Sequence, residues 1–225
     1  MQIDLTQIKV AFIDLDGTLI DHSKALYRCF KYATSKLGEP VPSQELVQRS
    51  VGGSMPVTMR KFVPEEKIDD AIALWRERFE EIHLEDIIIM PGAHELLDAF
   101  DQEGIKAAVF TNKIGRHSRA MMTHIGLADR LLFTAGAEDT PYRKPQPEFA
   151  HHVLEKAAVA PEKALMIGDS PFDIAAAKNV GMTSFVVPTG SHTAEELAED
   201  SPDQIFPSLT AIADHFKKLR ETNPA

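Results

Sequence analysis

The chain has 225 residues, and its 24 basic against 34 acidic side chains give a formal net charge of −10, which leaves no electrostatic footprint for nucleic acid or anionic lipid. With 44% hydrophobic and 26% charged residues it can bury a sizeable core, either as one large domain or as a core with a smaller attachment. Its single cysteine, Cys29, excludes an internal disulfide framework and fits a reducing compartment.

Charges at Asp4, Lys9 and Asp14 break up the N-terminal apolar residues, and no apolar run nears the ~18 residues of a membrane span. A cytoplasmic protein with no leader and no membrane partner is therefore expected. The run over residues 8–15, rich in branched and aromatic side chains, predicts a buried strand that ends in an acidic, glycine-containing turn. Residues from about 19 to 85 then pass without a convincing strand, too long for an ordinary connection, and predict a separate helical unit. Within it Leu26, Cys29, Phe30, Ala33 and Leu37 mark one apolar stripe, and Ile68, Ile72, Trp75, Phe79 and Ile82 mark another. On these stripes Cys29 and Trp75 read as core residues. The two connections to this unit, over 19–23 and 85–90, are candidate hinges.

Further short apolar runs at 106–110, 131–134, 164–167 and 183–187 alternate with helical segments over 92–103, 116–125 and 147–159. Glycines at 104 and 126 and Pro161 stop those helices. The alternation predicts an α/β fold, a doubly wound parallel sheet, with the helical unit inserted into it. The expected division is 1–18 and 88–225 for the core and 19–87 for the insert. The last residues, 220–225, are expected to fray.

Four separated segments carry the chemistry. Asp14-Leu15-Asp16-Gly17-Thr18 places two carboxylates at the end of the first strand, where they are costly unless a cation or a reaction uses them. Thr111-Asn112-Lys113 closes the second core strand, and Lys144 precedes a helix. Gly168-Asp169-Ser170-Pro171-Phe172-Asp173 again sets carboxylates at a strand end, with Pro171 suited to a first helical turn. In an open parallel sheet these ends share one edge, where ligands bind. The nine histidines show no metal-ligand spacing, and only His22 falls near the predicted cleft.

In this order the motifs resemble those of the haloacid dehalogenase superfamily, with Asp14 to Thr18 matching the first, Thr111 the second, Lys144 the third and Gly168 to Asp173 the fourth. The resemblance covers nearly the whole chain and extends to the phosphoglycolate phosphatase-like branch through Lys144-Pro145-Gln146-Pro147-Glu148. It implies that the inserted helices are a cap. It further implies a phosphatase acting on a small phosphorylated metabolite such as phosphoglycolate or a sugar phosphate. Asp14 is then the nucleophile that becomes an aspartyl phosphate, and Asp16 the general acid and base. Thr111, the Asn112 backbone and Lys144 bind the phosphoryl group. Mg2+ is held by Asp14, the Asp16 carbonyl and Asp169, and Asp173 acts from behind, through a metal-bound water or by holding Lys144. Arg49 and Arg60 are the cap residues that could meet a second anionic group, with Gly52 and Gly53 letting a loop approach the ligand.

Competing readings are separated by single positions. A haloacid dehalogenase lacks an acid where Asp16 stands, and a β-phosphoglucomutase-like mutase carries a histidine where this chain has Leu26. An inorganic pyrophosphatase is a further alternative. A phosphonoacetaldehyde hydrolase needs a cap lysine where Arg49 and Ser50 stand. A silent binding module would not need Asp14, Asp16, Lys144 and Asp169 together. The motifs leave the leaving group and the oligomeric state, monomer or dimer, open.

Overall fold

The apolar run that opens the chain forms β1 (Val10–Ile13), buried throughout, in a computed structural model that describes residues 5–51 and 55–222. After it come a short β2 (Ile20–Asp21), helices α1 (Ser23–Lys36), α2 (Gln44–Gln48), α3 (Met55–Met59) and α4 (Ile68–Ile82), and β3 (Ile88–Ile89). The alternation then runs α5 (Ala93–Glu103), β4 (Lys106–Ile114), α6 (Gly115–His124), β5 (Thr134–Ala137), α7 (Pro147–Ala157), β6 (Ala164–Gly168) and α8 (Pro171–Lys178). It closes with β7 (Thr183–Val186), α9 (Ala194–Glu199), β8 (Gln204–Ile205) and α10 (Leu209–Thr222).

Six strands form one parallel sheet in the order β5-β4-β1-β6-β7-β8, so β1 is flanked by β4 and β6, with Phe12 opposite Ala108 and Met166. Strand side chains alternate between faces. Ala11 and Ile13 join the core that includes Leu97 and Phe100 of α5 and Ile212 and Phe216 of α10. Val10 and Phe12 join the opposite core with Phe149 and Val153 of α7 and Ala177 of α8. There Phe110 stands edge-on to Phe12 at 6.2 Å and to Phe149 at 4.8 Å. Each of these fully buried rings contributes roughly 1.5–3 kcal/mol through burial. The fold is thus the doubly wound α/β sheet with a helical insert.

The insert leaves and returns through an antiparallel ribbon, in which β2 pairs with β3 and the Met90 N–H donates to the Leu19 carbonyl at 3.0 Å. Both apolar stripes meet as expected. Phe30 of α1 packs against Phe62 at 5.1 Å and Trp75 of α4 at 5.9 Å, and Trp75 stacks on Phe79 at 4.7 Å. Cys29 is fully buried in the same layer.

Some boundaries move. The apolar run at 131–134 already bonds to β4, with the Leu132 N–H on the Ala107 carbonyl at 2.7 Å and the Val109 N–H on the Phe133 carbonyl at 3.0 Å, but the strand itself is the small-residue stretch Thr134–Ala137, where Gly136 passes so near β4 that a Cβ would lie 2.4 Å from the Lys113 carbonyl oxygen. Strand β4 extends beyond residue 110 to Ile114, carrying Thr111 and Lys113 within it. The final helix continues through Thr222 rather than fraying from residue 220, while 223–225 lie outside the described residues. It is anchored by packing on α5, with Phe100 and Phe216 edge-on at 5.2 Å.

Candidate active site

Every chemistry-bearing segment reaches the C-terminal edge of the sheet. Asp14 and Asp16 follow β1, Thr111 to Lys113 form the end of β4, Asp169 follows β6, and Lys144 lies just before α7. A tight turn after β1 re-aims the chain: Gly17 has φ +84°, and a Cβ there would meet Asp169 Oδ2 at 2.8 Å. Only glycine suits both the conformation and the space.

Lys144 is the electrostatic centre. Its ammonium is buried and donates to Asp14 Oδ1 at 2.8 Å, Asp173 Oδ1 at 2.6 Å and the Phe110 carbonyl at 2.9 Å. All three donor positions are used. Asp173 in turn accepts at Oδ2 from the Ser170 N–H at 3.1 Å and hydroxyl at 2.6 Å, closing the first turn of α8. Ser170 is the N-cap of that helix. Asn112 holds the same lysine by its backbone: the Lys144 N–H donates to Asn112 Oδ1 at 2.8 Å, and Asn112 Nδ2 donates to the Lys144 carbonyl at 3.0 Å. The sequence reading gave Asn112 only a backbone role; its side chain is structural as well.

Asp169 is buried beside this pair. It accepts from the Thr18 hydroxyl at 3.1 Å and, at Oδ2, from the Ser191 N–H at 3.1 Å. Carboxylate oxygens of Asp14, Asp169 and Asp173 lie within 4.8 Å of one another. Burial lifts the Asp14 carboxyl to about 6 although Lys144 opposes the rise, and burial with the charges of Asp14 and Asp173 lifts Asp169 well above the usual carboxylate range. Lys144 balances only part of this charge. The remaining donors are hard oxygens, a set that fits a divalent cation such as Mg2+ and accounts for Asp14 and Asp169 being costly without one.

Asp16 faces a different cation. Lys113 Nζ donates to both of its oxygens, at 3.1 and 2.8 Å, and to His22 Nδ1 at 3.3 Å. His22 Nε2–H donates to the Glu85 carbonyl at 2.9 Å, which leaves Nδ1 as acceptor, and burial, with Lys113 nearby, lowers His22 to about 4, so the ring is neutral. A chain of contacts therefore runs from the β3 connection through His22 and Lys113 to Asp16. Lys113 also lies 5.0 Å from the Phe79 ring centroid on α4. The tripeptide Thr111-Asn112-Lys113 pointed to this strand end, but not to the pairing of Lys113 with Asp16.

Thr111 is buried in the same wall, with its hydroxyl oxygen accepting from the Lys113 N–H at 3.2 Å. Above the carboxylates lies a cavity of about 680 Å³ whose floor includes Asp14, Asp16, Thr111, Lys144 and Asp169. Its roof comes from the insert, through Phe30, Trp75, Arg76 and Phe79. Arg49 and Arg60 are not in that wall. Arg49 pairs with Glu196 at 2.7 Å, and Arg60 makes a bidentate pair with Glu65, both bonds at 2.9 Å. The cap arginine that lines the cavity is Arg76, whose outer nitrogen reaches Glu138 at 3.4 Å. Its spacing of one from Trp75 and three from Phe79 was the available signal. Gly52 and Gly53 lie outside the described residues. The loop after β7 was also missed: a Cβ at Gly190 would stand 1.8 Å from Asp169 Oδ2.

Among the described residues no helix is long and apolar enough to cross a membrane. The haloacid dehalogenase-like hydrolase family matches residues 11–187. A phosphoglycolate phosphatase of Vibrio vulnificus is 30% identical, the match covering 92% of this chain and 96% of that protein. A protein of Caldanaerobacter subterraneus that bears the provisional name pyrophosphatase PpaX is 31% identical, over 96% and 97% of the two chains. A crystal structure from Haemophilus somnus, described as a predicted phosphoglycolate phosphatase, superposes with a TM-score of 0.84 at 25% identity, covering 98% of this chain and all of that one. Similarity of this extent, over the same residues that build the sheet and its acidic edge, shows that the chain is an enzyme of the haloacid dehalogenase-like hydrolase family.

Proposed function

We propose that this enzyme is a Mg2+-dependent phosphatase that hydrolyses a small phosphate monoester through an aspartyl phosphate on Asp14. The observation that carries the reading is the buried Asp14 carboxylate, held by Lys144 beside Asp169 at the floor of the cavity, with Asp16 two residues away. In the first step an Asp14 oxygen attacks phosphorus in line, the ester P–O bond breaks, and Asp16 gives its proton to the departing alkoxide. In the second, Asp16 takes a proton from water, which attacks the same phosphorus and releases inorganic phosphate with Asp14 restored. Both Asp16 oxygens accept from Lys113, so the side chain must turn away or Lys113 must withdraw for this exchange.

Lys144 supplies fixed positive charge to the phosphoryl oxygens, and Thr111 with the Asn112 N–H supplies donors. Asp173 keeps Lys144 in place. Asp14, the Asp16 carbonyl and Asp169 would hold Mg2+, which would supply charge neutralisation between carboxylate and phosphoryl group. We assign residues 19–87 the role of a cap over the core of 1–18 and 88–225. The cap shelters the site from bulk water and contacts the leaving group. The names of the relatives support phosphoglycolate as the first substrate to test and pyrophosphate as the second.

The test is phosphate release from phosphoglycolate, sugar phosphates and pyrophosphate, compared by kcat/KM with Mg2+ and with chelator, together with acid-quench capture of phosphoenzyme. Chelator should abolish release, and Asp14→Asn should lose turnover and phosphoenzyme by several orders of magnitude. Turnover in excess chelator, or a fully active Asp14→Asn protein, overturns the mechanism.

A further inference from the structure

A second group of ligating side chains lies where α4 meets α6, outside the acidic edge of the sheet. Glu80 is on α4, His83 caps that helix, and His117 is in the first turn of α6. Each presents a donor atom, and the three donors lie within 4.8 Å of one another. His117 is only 4% exposed, yet neither ring nitrogen has a hydrogen-bond partner among the described residues. Its Nε2 stands 3.1 Å from Glu80 Oε2 in an orientation that closes no hydrogen bond. A buried polar group left in this state is destabilising, and the ring contacts with Phe79 and His83 pack the imidazole without meeting either nitrogen.

Each of the other two residues has an atom that its other contacts leave open. His83 Nδ1 lies 2.9 Å from the Glu80 carbonyl oxygen, and with a proton on Nδ1 the ring keeps its Nε2 lone pair free to bind, the tautomer that metal-bound histidines adopt. Glu80 pairs with Arg116 through Oε1, which leaves Oε2 on the side of His117.

We propose that Glu80, His83 and His117 form a binding site for a divalent transition metal of the zinc class, with water completing a tetrahedral set. Two imidazoles and one carboxylate suit Zn2+, whereas the all-oxygen cluster around Asp14 suits Mg2+, so the two sites select different ions. Zinc bonds of about 2.0–2.2 Å place tetrahedral donors about 3.3 Å apart, and the exposed Glu80 can swing inward while His117 stays fixed. Because two ligands belong to the insert and one to α6, a bound ion ties the two together. Resting on the phosphatase reading, this predicts that zinc slows turnover by restraining cap opening.

The test is equilibrium dialysis of the full chain with Zn2+ under excess Mg2+, which occupies the carboxylate cluster, with visible absorption of the Co2+-loaded protein as a second readout. Wild type should retain one equivalent of Zn2+ and give the intense absorption of a tetrahedral nitrogen- and oxygen-ligated Co2+. His83→Ala and Glu80→Gln, both at accessible positions, should each weaken binding by about tenfold or more, with unchanged turnover when zinc is absent. The proposal is overturned if wild type retains no zinc under excess Mg2+, or if both variants bind it as wild type does. Zinc binding is read without any substrate, so inactivity toward every ester would remove the phosphatase reading and leave this one standing.

Discussion

Replacing Asp14 by Asn separates the electrostatics of the site from its chemistry. Burial raises the Asp14 carboxyl from 3.8 to about 6, with Lys144 opposing the rise and Asp173 adding to it. A folded-state value above the unfolded one makes the contribution to stability fully present below the unfolded value and lost as pH rises through the folded one. At about 1.4 kcal/mol per pH unit, the ionised carboxylate therefore costs the metal-free protein about 3 kcal/mol above about pH 6. Asn has the same shape and no charge, and Lys144 keeps Asp173 at 2.6 Å as its counter-ion. In chelator near pH 7.5, Asp14→Asn should be more stable than wild type by about 3 kcal/mol, raising Tm by roughly 6–12 °C, while its turnover should be lost. Near pH 4 the gain should shrink toward zero. Urea and thermal unfolding followed by far-UV circular dichroism at both pH values give the measurement. A variant no more stable than wild type at neutral pH, or a gain of the same size at both, refutes the argument.

Lys144→Ala removes the only cation bonded to Asp14 and Asp173 among the described residues and should destabilise the fold by about 3–5 kcal/mol, measured by urea unfolding, while kcat/KM falls for all esters together. Gly190→Ala would drive a methyl group into Asp169, 1.8 Å from Oδ2, and should raise the Mg2+ concentration for half-maximal activity by about tenfold or more in a metal titration. Arg76→Ala should reorder kcat/KM across a panel of esters because Arg76 lines the cavity. Arg60→Ala, whose arginine is turned toward Glu65, should leave the order intact; the opposite pattern would return specificity to Arg60.

The sequence alone determined what local chemistry and periodicity encode. Buried strands read as apolar runs because both of their faces are covered, and the apolar stripes of α1 and α4 read as an insert because each needs the other. The acidic and basic motifs were legible because strand ends of a parallel sheet share one edge, whatever the details of packing. What tertiary structure alone decided is which side chains meet across long separations. Lys113 on Asp16, Asn112 around the Lys144 backbone, and the choice of Arg76 over Arg49 and Arg60 at the cavity depend on the rotation of α4 and on how the insert seats against the core. Strand β5 escaped because its residues are chosen for closeness rather than hydrophobicity: a Cβ added at Gly136 would stand 2.4 Å from the Lys113 carbonyl oxygen. His83 and His117 are 34 positions apart and carry no ligand spacing, and they meet only because the C-terminus of α4 lies against the first turn of α6. Spacing along a chain records contacts within one element, whereas contacts between elements are set by packing angles that no local pattern contains.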